Sequence, residues 1–187
     1  MARSKNNVVT HGLSGKVGDM LVFSQRNGKT IVSKIPNRTA PQSDAQIQHL
    51  QKFQEAVIYA KSVMADPTTK AAYAAKAQGG VTAYNVAVAD LLNAPNIESI
   101  NLSAYTGKIG DKIIIRATDD FKVTKVTVTI TNADNSLVEK GEAVLSANGL
   151  DWVYTAATVN ADLSGDKIVV QAFDLPGNLT EKQQPMV

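Results

Sequence analysis

The sequence predicts an α+β chain in two parts. Residues 1–95 read as a basic extended arm, a β-hairpin and a three-helix unit, and residues 96–187 as a seven-stranded antiparallel β-sandwich. Three observations carry this division. Glycines and an Asn-Gly pair punctuate the first 35 residues, and apolar residues then recur at helical spacing up to residue 92. From Ile97 onward, apolar and polar residues alternate between regularly spaced turn signals.

The opening segment is extended because Gly12, Gly15, Gly18 and Gly28 would each cost a helix about 1 kcal/mol relative to alanine. Residues 20–25 and 30–35 flank Arg26-Asn27-Gly28-Lys29, where Asn-Gly accepts the positive φ of a tight hairpin turn. Two strands alone are marginal in water, so this hairpin is expected to lean on another surface. Pro36 and Pro41 bracket a linker. Ser43 or Asp44 caps a helix running to about residue 65, with Ile47, Leu50, Phe53, Val57, Ile58 and Met64 as its apolar stripe. Asp66-Pro67 ends it and opens a second helix over 68–78, dominated by Ala71, Ala72, Ala74, Ala75 and Ala77 and stopped by Gly79-Gly80. A third helix starts near Val81 or Thr82, puts Tyr84, Val88, Leu91 and Leu92 on one side, and breaks at Asn93-Ala94-Pro95.

Seven strands are expected at about 97–105, 110–118, 123–131, 136–145, 150–157, 165–173 and 178–184. The third is the clearest: Val126, Val128 and Ile130 alternate with Thr127, Thr129 and Thr131, as a half-buried strand requires. Seven short strands separated by Gly, Asp, Asn and Pro turns predict an immunoglobulin-like β-sandwich. An internal echo fits this arrangement. Residues 110–119 (GDKIIIRATD) and 165–174 (GDKIVVQAFD) share six of ten positions, which suits two equivalent strands central in opposite sheets rather than a solenoid repeat.

Composition excludes several classes. With 44% hydrophobic residues in 187 and a net charge of +2, the chain is neither a charged disordered polymer nor collagen-like. No apolar run approaches the roughly 20 residues of a membrane span. No apolar stretch of the signal type follows the polar start, so synthesis in the cytoplasm is expected, within a virion or an exported assembly. Cysteine is absent and there are two histidines, His11 and His49, which removes thiolate chemistry and leaves carboxylates as the main metal donors. The charge is uneven. Residues 1–38 carry seven basic side chains against Asp19, a net +6, whereas residues 96–187 carry eight basic and twelve acidic ones, a net −4. Phe23 is the one aromatic among the basic residues, so no stacking platform for nucleic acid is visible.

Catalytic patterns fail on inspection. Gly28-Lys29-Thr30 ends like a phosphate-binding loop, but the required earlier glycine is Phe23 and the context is a hairpin. Gly12-Leu13-Ser14-Gly15 has Lys16 where a nucleophile elbow needs glycine, and His11 beside Ser14 makes no triad. Asp119, Asp120 and Asp174 end the two echoing strands and can approach at one pole of the sandwich. Their spacing fits no dedicated calcium loop, so they read as turn residues and no metal or cofactor is assigned. Trp152 and Tyr154 share a strand face, where they either fill the core or, if exposed, stack on sugars.

Two further segments carry a resemblance. Gly12-Leu13-Ser14-Gly15-Lys16-Val17-Gly18-Asp19, followed by the hairpin and by Lys34-Ile35-Pro36-Asn37-Arg38, is one; Gln46-Ile47-Gln48-His49-Leu50-Gln51-Lys52-Phe53 is the other. Together they resemble small Bacteroidetes proteins that join such a glycine-rich head to an immunoglobulin-like tail. The resemblance spans about residues 10–94 and implies no activity. The tail is similar in architecture to modules of bacterial surfaces and phage particles, which implies nothing about function.

The function expected on these grounds is a non-enzymatic structural subunit of a larger assembly, a virion component or a filament, that associates with copies of itself or with other assembly proteins. Lys16, Phe23, Arg26, Lys29, Lys34 and Arg38 are the expected interface, since a basic hairpin suits a neighbour's acidic face or strand edge. The alternative is a surface adhesin or glycan-binding module acting through the sandwich at Trp152 and Tyr154.

Overall fold

The computed structural model describes residues 2–4, 8–26, 28–35 and 41–186. The chain is α+β, with three helices and three antiparallel sheets among the described residues. Its contacts group it into two compact units, Met1–His49 and Leu50–Val187. The change of sequence pattern near residue 95 lies inside the second unit.

In the first unit, β3 (Leu21–Arg26) and β4 (Lys29–Lys34) form the expected hairpin, in register from Leu21 opposite Lys34 to Arg26 opposite Lys29. Gly28 takes φ +69°, which explains glycine at this tight turn; Asn27 lies outside the described residues. The sequence pattern assigns this hairpin no further strands of its own, whereas it forms the middle of a four-stranded sheet. β1 (Ala2–Ser4) pairs with β4 and β2 (Gly15–Val17) pairs with β3, giving the order β1-β4-β3-β2. The linker expected at 36–40 falls outside the described residues.

The helices begin where the capping chemistry places them. Ser43 and Gln46 exchange a capping box, Ser43 N donating to Gln46 Oε1 at 3.0 Å and Gln46 N to Ser43 Oγ at 3.4 Å, ahead of α1 (Asp44–Ala65). Asp66 accepts from the Thr68 and Thr69 amides and Pro67 opens α2 (Pro67–Lys76); Thr82 accepts from the Asn85 amide before α3 (Ala83–Leu92). What the helices bury is mostly small. Ala56, Ala60, Tyr73, Ala87 and Val88 form the helical core, joined by Phe121 from a sheet loop, whose ring stacks on Tyr73 at 4.2 Å. The apolar stripe read along α1 is only partly used, since Ile47, Leu50, Phe53 and Ile58 are exposed.

Among the described residues eight strands follow α3 rather than seven. The first sheet orders β5 (Asn96–Asn101), β6 (Lys112–Thr118), β10 (Asp151–Thr155) and β9 (Val144–Leu145) as β5-β6-β10-β9. The second orders β12 (Leu179–Pro185), β11 (Lys167–Asp174), β7 (Val123–Thr131) and β8 (Leu137–Glu142) as β12-β11-β7-β8. The stretch 136–145, read as one strand, divides at the buried Ala143, with β8 pairing to β7 and β9 to β10 in the other sheet. The two echoing segments supply β6 and β11, each central in its own sheet.

Both sheets contribute to one apolar core. Val126, Val128 and Ile130 of β7 lie opposite Ala172, Val170 and Ile168 of β11, and all six are buried. Ile113 and Ile115 of β6 lie opposite Tyr154 and Trp152 of β10. Each such large side chain contributes about 1.5–3 kcal/mol on burial. The Tyr154 ring crosses to the other sheet and presses on Gly141, where an added Cβ would sit 2.9 Å from Tyr154 Cε2.

Candidate assembly face and carboxylate cluster

Five of the six expected interface residues, Lys16, Phe23, Arg26, Lys29 and Lys34, lie on the N-terminal sheet. Arg26 and Lys29 face each other as the last pair of the hairpin, both exposed, so like charges meet directly across the strands. Lys34 sits at the opposite end of β4, paired with Leu21. Lys16, on the edge strand β2, forms an exposed ion pair with Asp19 at 3.2 Å. Phe23 is half-buried opposite Val32. Arg38 lies outside the described residues. The centre of this sheet is polar. Gln25 Nε2 donates to Leu13 O at 2.7 Å and to Thr30 Oγ1 at 2.9 Å, and Thr30 Oγ1 donates to Thr10 O at 3.1 Å. Thr30 is the one buried side chain among residues 8–26, 28–35 and 41–49, while Val8, Met20 (73% exposed) and Val17 stand in solvent.

Trp152 and Tyr154 are 8% and 4% exposed and belong to the sheet core, so neither ring offers an open face for stacking on a sugar. His11 and His49 are both exposed.

Carboxylates gather at the end of the second unit where helices meet sheets. Asp119 and Asp120 follow β6, Asp174 ends β11, and Asp90 enters from α3. Asp174 is satisfied within its own turn, its Oδ1 accepting from the Gly177 and Asn178 amides at 2.8 and 2.6 Å and its Oδ2 from Asn178 Nδ2 at 2.7 Å. The second proton of the same Nδ2 points among the carbonyls of Asp90, Leu91 and Asn93, at 3.1, 3.1 and 3.3 Å, and closes the C-terminal end of α3 onto the β11–β12 turn. One oxygen from each of Asp90, Asp119 and Asp120 lies within 4.8 Å of the others. Asp174, which the sequence grouped with Asp119 and Asp120, is not a member of this trio.

Burial pushes the Asp90 carboxyl up to about 7. The Tyr73 hydrogen bond opposes this rise, and the charges of Asp119, Asp174 and Asp120 reinforce it. Burial also raises Asp174, against its hydrogen bonds from Asn178 and Gly177. Burial raises the Tyr73 hydroxyl too, and its hydrogen bond to Asp90 adds to that. Sequence reading missed Asp90. Its signal was a lone charge in the otherwise uncharged segment Ala83–Leu92, which places an acid on a helix that must bury most of its surface.

No family model and no curated protein matches the chain. Among solved structures it is similar to an engineered protein determined by the Northeast Structural Genomics Consortium. The two are 12% identical over 58% of this chain and 30% of that one, with a TM-score of 0.36. The chain thus spans less than a third of that protein's length, and the likeness carries no argument about fold or function. No helix among the described residues is long and apolar enough to cross a membrane.

Proposed function

We propose that the chain is a non-enzymatic structural subunit of a larger assembly, a virion component or a filament, that joins copies of itself or neighbouring assembly proteins through its N-terminal sheet. On this reading the two sheets of residues 96–187 are the layers of an immunoglobulin-like sandwich that presents acidic surface to the next subunit.

The observation that carries the reading is the missing core of the first unit. Among residues 8–26, 28–35 and 41–49 no apolar side chain is buried, yet a four-stranded sheet ordinarily gains its stability by covering one face. Covering exposed apolar groups such as Met20 and Val8 contributes about 1.5–3 kcal/mol each for full burial, and a partner surface supplies the cover. Ile47, at the end of the first unit, is exposed as well. The opposed charges Arg26 and Lys29 favour an acidic partner, and the net −4 of residues 96–187 provides one in a second copy. The edge of β2 can add a neighbour's strand through main-chain hydrogen bonds.

Light scattering tests this. The full chain at low salt is expected to show an average mass that rises with concentration, while the double variant Arg26→Glu/Lys29→Glu associates at least about tenfold more weakly, a change of about 1.4 kcal/mol. High salt should weaken the parent likewise. A parent that stays monomeric at high concentration, or a double variant that assembles as the parent does, contradicts the reading.

A further inference from the structure

Three carboxylates converge where α3 meets the β6–β7 loop, and the chain holds each of them by one oxygen. Tyr73 donates its hydroxyl to Asp90 Oδ2 at 2.5 Å. The Phe121 and Lys122 amides donate to Asp119 Oδ2 at 3.2 and 2.8 Å, and Asn93 Nδ2 donates to Asp120 Oδ2 at 2.8 Å. These bonds fix the carboxylate orientations while leaving oxygens over. Asp90 is fully buried, yet its Oδ1 has no hydrogen-bond partner; the buried Oδ1 of Asp119 has none either. Buried anionic oxygens without a donor are rare in native proteins because desolvation is then uncompensated. No lysine or arginine among the described residues forms an ion pair with any of the three carboxylates.

A cation is the kind of partner that such oxygens accept. Calcium binds oxygens at about 2.3–2.6 Å, so two ligands on opposite sides of one ion stand about 4.6–5.2 Å apart, which the 4.8 Å grouping accommodates. An all-oxygen donor set without histidine or cysteine suits a hard cation rather than zinc or copper. Magnesium, at about 2.0–2.1 Å, demands a tighter octahedron and ordinarily keeps to one or two carboxylates. Asp120 is exposed, which leaves one side of the cluster open to water.

We propose that Asp90, Asp119 and Asp120 bind one divalent cation of the calcium class, with water completing its shell on the Asp120 side. The ion neutralises the two orphaned oxygens and ties α3 to the β6–β7 loop. It thereby reinforces the joint already made by Phe121 on Tyr73 and by Asn178 on the end of α3. This inference is independent of the assembly reading, because it concerns the second unit alone.

The test uses the full chain, stripped with a chelator and titrated with calcium chloride at pH about 8. Calorimetry is expected to show one calcium per chain and the melting temperature to rise with calcium. Terbium should give luminescence sensitised by Tyr73, whose hydroxyl touches the Asp90 carboxylate. Asp119→Asn can keep both amide bonds through its carbonyl oxygen while losing its charge, and Asp120→Asn alters an exposed residue. Each is expected to weaken calcium binding at least about tenfold, whereas Asp134→Asn, in an exposed turn elsewhere, leaves it unchanged. Magnesium should compete at least about tenfold more weakly than calcium. Absence of saturable binding at millimolar calcium overturns the proposal. So does parental affinity in both Asn variants, or equal competition by magnesium. A proton shared within the cluster in place of a cation gives the first of these results.

Discussion

Trp152→Ala is expected to lower the stability of the second unit by about 3–5 kcal/mol, measured by urea denaturation. The indole is 8% exposed, lies opposite Ile115 across the β6–β10 ladder and opposite Leu145 on its other side, and is part of the core that both sheets share. Alanine leaves a cavity among side chains already in close contact, so the loss combines lost transfer energy with lost packing. The same experiment separates two roles that the sequence left open for this residue. A surface platform for sugars would tolerate alanine with a change within about 0.5 kcal/mol, because exposed substitutions rarely cost more. A small change would therefore remove Trp152 from the core.

Stability in chelator is expected to fall as pH rises from about 5 to about 8, and the Asp90 carboxyl is the main cause. Its ordinary value is 3.8 and burial raises it to about 7 in the folded chain. Between those values the folded state binds more protons than the unfolded state, so the slope of unfolding free energy against pH is negative. The contribution is complete below pH 4, is lost as pH climbs through 7, and is flat above. Its size is on the order of 2–4 kcal/mol. Of the groups facing Asp90, the three carboxylates reinforce the rise and the Tyr73 hydrogen bond opposes it without cancelling it. These groups are Asp119 and Asp120 on the β6–β7 loop, Asp174 at the end of β11, Tyr73 on α2, and Tyr59 on α1 behind Tyr73. Asp174, also raised by burial, adds in the same direction. Asp66, Asp111, Asp134 and Asp151 are held below the usual carboxylate range by hydrogen bonds, so they act in the opposite sense only at more acid pH. Asp90→Asn is expected to flatten the profile between pH 5 and 8 and to leave the variant more stable than the parent at pH 8. Urea midpoints across that range check this, and a parent whose stability rises towards pH 8 contradicts it.

Strand positions were legible in the sequence because alternation reports burial directly. Val126, Val128 and Ile130 were read as an inward face and are all buried, and the echo of residues 110–119 in 165–174 pointed to two central strands. The helix caps were legible for a similar reason: Asp66-Pro67 and Thr82 satisfy donors in their own first turn, a local matter. The division at Ala143 was not, since a chain that passes from one sheet to the other keeps its extended pattern. Nor was the use of α1. Its stripe at Ile47, Leu50 and Phe53 reports a direction, not what the helix meets, and its buried residues are Ala56 and Ala60, whose small size gives little periodic signal. The carboxylate cluster was half visible. Asp119 and Asp120 stood out beside the echoing strand, but Asp90 joins them only through the packing of α3 against a loop distant in sequence.

The proposed assembly requires the N-terminal sheet to find a surface outside its own unit. Amide hydrogen exchange across β3 and β4 measures that need, compared at low and high protein concentration. Protection of β3 and β4 is expected to rise with concentration and to fall back in Arg26→Glu/Lys29→Glu, because on the proposed reading cover by a second copy stabilises the sheet they centre. Equal protection at both concentrations, in parent and double variant alike, would mean that the sheet is stable without a partner.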